Sequence, residues 1–350
     1  MYSLKYYTLS QISKLEDTWR QLEKGQDMTY FQRYDWYKML SALNIKTRNH
    51  KFEITLVEVL KGNQTVMIAP LWIVFKTFGK VNLRGIYFFG RGQWSDYLNF
   101  IYYTFDGEAM KALFTDLKQK YGISNFILEE VPTYSATFHF INEGYTHLED
   151  NGTVCVELFI PENIETYHKM LSKSSRQNIR TAFNRAQKDN IEFTFDFDDQ
   201  SVDLVEFSKY RDIRLVKKNT WKEKTLKWEI INFISTKILR RGQYKFPSYT
   251  PFECDQHSHF ITCRDQHGNL CAAFNYGIDI VHNQIVLMAV TTNPDFYKYS
   301  SGILAIYQFV LKQMEEKGYS RIDFTRGNEK YKYVLGGVEH YNQRLVFDFI

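Results

Sequence analysis

The chain has 350 residues, of which 44% are hydrophobic and 17% aromatic, and a formal net charge of +4. This length and composition are more typical of two ordered domains than of one, and the mild charge does not demand a nucleic-acid partner. No run of 18 uncharged apolar residues occurs, and residues 1–10 lack the pattern of a secretion signal, so the sequence predicts a cytoplasmic location without a membrane span.

The first half begins with the pattern of a β-hairpin. Alternating and branched residues at 52–60 and 65–75 flank a turn that contains Gly62. A helical pattern at 108–121 then leads through Gly122 to a strand at 125–130.

The second half shows a similar order of elements after a basic helical region. A second hairpin surrounds Gly268, and a later helical pattern leads through Gly318 to another strand. The predicted helices are 164–188, 202–239 with a break, and 303–317, and the predicted strands are 191–197, 259–264, 270–280, 284–292, 321–325 and 343–349.

The two halves are interpreted as a duplication. The hairpin glycines lie 268 − 62 = 206 residues apart, and the glycines that follow the helices lie 318 − 122 = 196 apart. We therefore predict an α/β protein with a mixed, partly antiparallel sheet in two domains, at residues 1–155 and 156–350.

Residues 297–304 and 322–332 resemble the C-terminal half of the CelD/BcsL-type acetyltransferases, a family associated with bacterial polysaccharides. Residues 31–36, 69–71 and 95–97 are similar to its N-terminal half. The resemblance implies two tandem domains of the Gcn5-related acyltransferase (GNAT) type, of which the first is degenerate and the second uses acetyl-CoA or another acyl-CoA. The architecture also resembles the Fem-type transferases, which use aminoacyl-tRNA.

A thioester donor of this kind carries a pyrophosphate, which the N-terminus of a helix binds well. Residues 299–303 are placed for this, with Gly302 allowing close approach, although Tyr299 and Leu304 stand where the usual loop has Gln or Arg and Gly or Ala. Backbone N–H groups near residues 288–290 are expected to polarise the thioester. The predicted donor-binding residues are Met288, Ala289, Val290, Lys298, Tyr299, Ser300, Ser301, Gly302 and Ile303.

The predicted catalytic residues are Asp323, Glu329, Tyr331 and Lys332. The period of a strand directs Asp323 away from Ile322 and Phe324 and toward a cleft. Asp323 and Tyr331 are then expected to transfer protons and Lys332 to orient the acceptor. The alternative is an Asp that forms an ion pair and only fixes the loop.

A basic stretch on the helical region 164–188 is attractive to phosphates. Its members are Lys169, Lys173, Arg176, Arg180, Arg185 and Lys188. We predict that Arg176 and Arg180, with Asp96 and Tyr97 of the first half, bind the acceptor. The alternatives are that this face binds the phosphates of the donor, that it binds tRNA, or that it is only solvated.

Neither a metal site nor a hydrolase site is predicted. Cys254, His257, His259 and Cys263 could hold zinc, but their spacing matches no known finger, and the four cysteines of the chain are interpreted as free thiols. Residues 90–92 are interpreted as a turn, and no Gly-x-Ser-x-Gly motif surrounds Ser300 or Ser301.

The sequence thus predicts an acyl-CoA-dependent N- or O-acyltransferase that acts on a sugar, a nucleotide sugar or another small polar acceptor, bound in the cleft between the halves. The first domain is expected to be structural, because Asp106 and Glu108 would repel a pyrophosphate at its helix. Transfer from aminoacyl-tRNA and a non-catalytic binding module are the alternatives.

Overall fold

A computed structural model describes residues 1–42, 52–76, 84–92, 95–145, 147–148, 152–217 and 259–349. The chain forms two compact units, one of Met1–Cys155 with His340–Ile350 and the other of Val156–Glu339. The last residues of the chain, His340–Ile350, thus belong to the first unit and not to the second.

The described elements of the first part of the chain are β1 (Tyr2–Thr8), a 3-10 helix (Leu9–Leu15), α1 (Glu16–Leu22), a 3-10 helix (Tyr30–Gln32), α2 (Tyr34–Ala42), β2 (Phe52–Lys61), β3 (Gln64–Val74), β4 (Gly85–Phe88), α3 (Gly107–Tyr121), β5 (Asn125–Pro132), α4 (Ala136–Gly144), β6 (His147–Leu148) and β7 (Thr153–Phe159). They are followed by α5 (Ile164–Met170), α6 (Lys173–Lys188), β8 (Thr194–Asp196), α7 (Leu204–Lys217), β9 (His259–Arg264), β10 (Leu270–Asp279), β11 (Gln284–Thr292), a 3-10 helix (Pro294–Tyr299), α8 (Ser301–Glu316), β12 (Arg321–Arg326), α9 (Lys330–Val334) and β13 (Val338–Asp348).

The sheet of the first unit runs in the order β1-β2-β3-β4-β5-β13. Its strands are antiparallel except for the parallel pair β4–β5. Aromatic side chains fill its core, where the rings of Phe126 and Phe347 stack 5.2 Å apart and Phe114 packs 4.5 Å from Phe126. The final strand of the chain therefore completes the core of the first unit.

The sheet of the second unit runs in the order β7-β12-β11-β10-β9-β8. Helices cover both of its faces. Phe207 of α7 packs against Ala273 and Ala289 on one face, and the rings of Phe309 of α8 and Tyr276 lie 6.3 Å apart on the other. Strand residues of opposite parity point to opposite faces, so α7 and α8 lie on opposite sides of β10.

The predicted mixed α/β class is confirmed, because each unit combines parallel and antiparallel strands with helices. Both hairpin glycines adopt the positive φ that a tight turn requires, +63° at Gly62 and +81° at Gly268. Gly122 ends α3 in the left-handed conformation as expected, whereas at the end of α8 it is Lys317, and not Gly318, that takes this conformation.

The prediction of a single helix at 164–188 is wrong. Leu171 is extended, and the Ser172 hydroxyl accepts a hydrogen bond from the Ser175 N–H and so begins a new helix. Lys169 therefore lies on α5, apart from the other basic residues on α6. The predicted strand at 191–197 is shorter, and residues 218–239 of the predicted long helix lie outside the described residues. In the described part of the chain, no helix combines the length and apolar character needed to cross a membrane.

Candidate active site

Two neighbouring strands of the second unit separate to form a wedge. The parallel strands β11 and β12 pair from Gln284↔Arg321 to Val286↔Asp323, although both strands continue beyond these residues. On the other side of β11, the register with β10 shifts so that Met288 is an extra, bulged residue. The separated strand ends and the bulge expose backbone groups at Leu287–Val290.

A cleft with about 400 Å³ of empty space occupies this wedge. It gathers side chains and backbone from β10, β11, β12, α7 and α9. The lining residues are Arg214, Phe274, Leu287, Met288, Ala289, Val290, Phe324, Thr325, Arg326, Glu329, Tyr331 and Lys332. The structure thus brings three of the predicted catalytic residues together with the predicted donor-binding residues of β11.

Thr325 helps to keep the wedge open. Its φ of +56° is rare for a β-branched residue and turns β12 away from β11. Its N–H donates to Asp323 Oδ1 at 2.7 Å, and its hydroxyl donates to the Leu287 carbonyl at 3.1 Å. A side chain therefore bridges the two strands where backbone pairing has stopped.

Lys332 and Asp323 do not have the exposed positions that the sequence predicted. The Lys332 side chain is buried, and its Nζ donates to the carbonyls of Thr325, Arg326 and Gly327 at 3.1, 2.8 and 2.8 Å. Asp323 is also buried, and its carboxylate holds the Thr325 N–H. Both groups bind the backbone at the end of β12, an arrangement that favours a structural role for them.

Tyr331 places a phenol in the cleft. Its ring lies 6.0 Å from that of Phe324 and 6.3 Å from that of Phe274. Burial, followed by the negative charge of Glu329, raises the pKa of the Tyr331 phenol well above its usual value. The group is therefore protonated at neutral pH and able to donate a proton.

Glu329 lies between two cations. Its carboxylate is 3.1 Å from Lys332 Nζ and 3.6 Å from Arg214 Nη2. Arg214 also donates from Nη1 to the Val290 carbonyl at 3.2 Å. Sequence reasoning missed Arg214, because nothing in the helical pattern of α7 distinguishes it from the neighbouring Arg211.

The predicted donor loop forms the start of α8. Ser300 is in the left-handed conformation with no capping bond from its side chain, and the Ser301 hydroxyl donates instead to the Cys271 carbonyl. Neither serine caps the helix as expected. The backbone N–H groups of Ile303 and Leu304 donate to the Ser300 carbonyl, which leaves those of Ser301 and Gly302 without an acceptor within the helix.

Two further residues of this loop are tied to α6. Lys298 Nζ lies 2.7 Å from Asp189 Oδ2, and the Tyr299 hydroxyl donates to the same oxygen at 2.8 Å. Lys298 is therefore paired with a carboxylate, which differs from the free phosphate-binding charge that the sequence predicted. An ideal Cβ on Gly302 would lie 3.4 Å from the Phe274 ring, an ordinary contact.

The residues predicted to bind the acceptor do not line the cleft. Arg176 donates from Nη1 to the carbonyls of His168 and Leu171, while Arg180 is exposed on α6. Asp96 and Tyr97 belong to the first unit.

In that unit the Asp96 carbonyl accepts a hydrogen bond from Asn342, and the Tyr97 hydroxyl is 3.3 Å from His340 Nε2. The candidate zinc residues are not assembled among the described residues either. His259 Nδ1 is paired with Asp198, Cys263 is buried, and Cys254 and His257 lie outside the described residues.

The first unit fills the corresponding place with its own chain. The parallel strands β4 and β5 pair only at Ile86↔Phe126 and Tyr87↔Ile127. Beyond them the buried Leu98 donates its N–H to the Glu130 carbonyl, and Ile101 pairs with Ile68. The Asp106 carboxylate accepts from the Glu108 and Ala109 N–H groups at the start of α3.

Comparison with known proteins identifies the second unit. Residues 259–333, from β9 to α9, match the acetyltransferase (GNAT) domain family. No curated protein matches the chain in sequence.

Two solved structures share the fold over nearly the whole chain. A crystal structure of FemX has a TM-score of 0.59 and 11% identity, covering 99% of this chain and 97% of its own. The C-terminal domain (DUF2156) of a putative lysylphosphatidylglycerol synthetase from Agrobacterium fabrum has a TM-score of 0.52 and 9% identity, covering 96% and 92%. Residues 259–333 thus match a GNAT acetyltransferase domain, in agreement with the predicted class of enzyme, and the two solved structures agree in fold.

Proposed function

We propose that the second unit transfers an acyl group from acyl-CoA to an amine or hydroxyl of a small polar acceptor. The observation that carries the proposal is the wedge between β11 and β12, in which the Tyr331 phenol faces a bulged strand with accessible backbone groups. Acyl-CoA supplies a thioester whose carbon the acceptor attacks. The start of α8, where the Ser301 and Gly302 N–H groups have no acceptor within the helix, suits the pyrophosphate.

The residues of the cleft have complementary roles in this reaction. Backbone N–H groups around Met288 stabilise the negative charge that develops on the thioester oxygen. Glu329 accepts the proton that the acceptor loses, and the protonated Tyr331 donates to the departing thiolate. Lys332 fixes the three carbonyls at the end of β12 and keeps Glu329 beside the cleft.

The identity of the acceptor belongs to the same proposal. A sugar, a nucleotide sugar or a similar cell-envelope precursor in the cytoplasm is consistent with the resemblance to the CelD/BcsL-type acetyltransferases. The first unit then has a structural role, since its own chain fills its wedge and a carboxylate caps its helix.

Calorimetry with acetyl-CoA and native mass spectrometry of freshly purified protein test the donor. We expect binding of acetyl-CoA with a dissociation constant below the millimolar range and a co-purified CoA species. A protein that binds no acetyl-CoA at millimolar concentration would contradict the proposal.

Aminoacyl-tRNA is a second candidate donor because of the charge on α6. Lys173, Arg176, Arg180, Arg185 and Lys188 are all exposed on this helix, which carries no acidic residue. The similarity to FemX concerns the fold alone. If tRNA is the donor, its binding should weaken steeply with salt and should be reduced by Arg180→Glu. Salt-independent binding, or none, would leave acyl-CoA as the donor.

A further inference from the structure

The cleft of the second unit is reached from both faces of the sheet. Phe274, which lines it, points toward α8, whereas Arg214 comes from α7 on the opposite face. The start of α8, proposed above to hold the donor, is thus on one face. The Arg214–Glu329 pair is reached from the α7 side, opposite the proposed donor site, where an acceptor would approach.

Arg214 retains hydrogen-bonding capacity toward the cleft. A guanidinium has five N–H donors in a fork that fits a carboxylate. Among the described residues, the Arg214 guanidinium donates one hydrogen bond to the Val290 carbonyl and forms a longer ion pair of 3.6 Å with Glu329. The side chain is 21% exposed, so a ligand can reach it.

Arg214 and Glu329 present opposite charges 3.6 Å apart, next to the phenol of Tyr331. Lys332 also lies 3.1 Å from Glu329, but its side chain is only 2% exposed and its ammonium donates to three carbonyls, so a ligand meets Arg214 and Glu329 more directly. An isolated anion would meet repulsion from Glu329, and an isolated cation would meet repulsion from Arg214. A ligand that carries both charges close together satisfies both groups. This arrangement therefore matches a zwitterion.

We propose that the acceptor is a primary amine with a carboxylate close to it, bound with the carboxylate on Arg214 and the ammonium on Glu329. The proposal rests on the transferase function proposed above and specifies its acceptor. A free amino acid and an amino sugar acid both offer this chemistry. A phosphate group is less suitable, because its second negative charge would be held beside the Glu329 carboxylate.

The reaction balances with these groups. The ammonium loses a proton to Glu329, and the free amine nitrogen forms a bond to the thioester carbon. The carbon–sulfur bond then breaks, and the thiolate takes the Tyr331 proton. The nitrogen gives up its second proton as the amide forms, and this proton restores the Tyr331 phenol. The products are an amide, free thiol and one proton, which Glu329 releases to solvent while Tyr331 is protonated again.

The test compares amines with and without a nearby carboxylate, which in the sugar pair is part of a lactyl group. The pairs are L-phenylalanine with phenethylamine, L-lysine with cadaverine, and muramic acid with glucosamine, each assayed for thiol release from acetyl-CoA. We expect kcat/KM to be at least tenfold higher for the carboxylate-bearing member of at least one pair. Arg214→Gln should abolish this preference, and Arg214→Lys should restore part of it, because Lys keeps the charge but not the fork.

Lys209→Gln is the matched control, since it removes an exposed cation from the same helix outside the cleft. It should leave the preference unchanged. Calorimetric titration of each amine into the protein with CoA gives a readout that does not need turnover.

Binding of the carboxylate members that Arg214→Gln removes, without any thiol release, would support the acceptor and contradict the transferase. Equal use of both members of every pair, or neither turnover nor binding of any carboxylate member, would overturn the acceptor proposal. In the case of equal use the transferase proposal would stand.

Discussion

At the scale of single residues, Lys332 shows that a charged side chain near an active site can be part of the framework. It is 1% exposed, and its ammonium binds three consecutive backbone carbonyls in addition to Glu329. Removing a buried cation with so many partners lowers the free energy of unfolding, because those partners are left without the charge and the hydrogen bonds that it supplied.

We therefore expect Lys332→Met to destabilise the second unit by about 3–5 kcal/mol. The measurement is denaturant unfolding, with hydrogen exchange at β12 to locate the effect. Lys330→Met changes an exposed lysine of the same helix and should cost about 0.5 kcal/mol or less. A stable Lys332→Met protein with only a raised acceptor KM would restore the role that the sequence predicted.

Tyr331→Phe should lower turnover by about a hundredfold while acetyl-CoA affinity is retained, because only the transferred proton is lost. Tyr333→Phe is the control. The Tyr333 hydroxyl lies on the same helix but donates to Glu339, so this variant should keep normal turnover. Single-turnover kinetics and calorimetry separate the two effects. Normal turnover in Tyr331→Phe would leave water as the proton donor.

The raised pKa of Tyr331 also predicts a pH dependence of stability. The fold favours the neutral phenol, so its contribution is complete below the unfolded-state pKa of about 10 and is lost as pH rises toward the folded-state pKa. Above pH 10, the Tm of the wild type should therefore fall relative to the Tm of Tyr331→Phe. A constant difference from pH 8 to 11 would contradict a raised pKa.

The sequence identified Glu329 and Tyr331 as neighbours of the cleft because they are close in the chain to a recognisable strand and turn. It could not identify Arg214, which reaches Val290 across 76 residues. It also did not predict the burial of Asp323, because strand periodicity assigns a face but does not say whether neighbouring segments will bury that face.

At the scale of elements, the sequence predicted turns and the end of α3 better than it predicted the continuity of the basic helix. The glycines of both hairpins and the glycine that ends α3 adopt the positive φ expected of them. The break between α5 and α6 was missed because the basic residues continue across it at helical spacing, while the decisive group is the single hydroxyl of Ser172.

Gly302 tests whether the start of α8 binds the donor. Gly302→Ala adds a Cβ at an ordinary contact distance of 3.4 Å from Phe274, so folding and donor affinity should change little. Gly302→Asp adds a negative charge in the first turn and should weaken acetyl-CoA binding by about tenfold or more through repulsion of the phosphates. Calorimetry checks both variants. Equal affinity for the two would place the phosphates elsewhere.

At the scale of the whole molecule, unusual backbone conformations recur at the same spacing in the two halves of the chain. Left-handed residues follow both corresponding helices, at Gly122 and Lys317, and occur in both corresponding strands, at Glu130 and Thr325. The separations 317 − 122 and 325 − 130 are both 195. This spacing is close to the offset of 196 between Gly122 and Gly318, on which the predicted duplication partly rests. The sequence pattern did not predict that the last strand joins the first unit.

That final strand leads to a prediction about the first unit. Phe347 of β13 is 2% exposed and stacks on Phe126, and its ring lies 5.6 Å from that of Phe114. Phe347→Ala leaves a cavity in this core and should destabilise the first unit by about 3–5 kcal/mol, although the substitution is near the C-terminus of the chain.

Hydrogen exchange should show faster opening of β5, which pairs with β13 at Phe126↔Phe347, while β10 and β11 keep their protection. Tyr341→Ala on the same strand removes a ring that is 44% exposed and should cost much less. Because the second unit contains the cleft, acetyl-CoA affinity of Phe347→Ala should be retained below its unfolding transition. Faster exchange confined to β10 and β11, with β5 unchanged, would mean that the last strand supports the second unit instead.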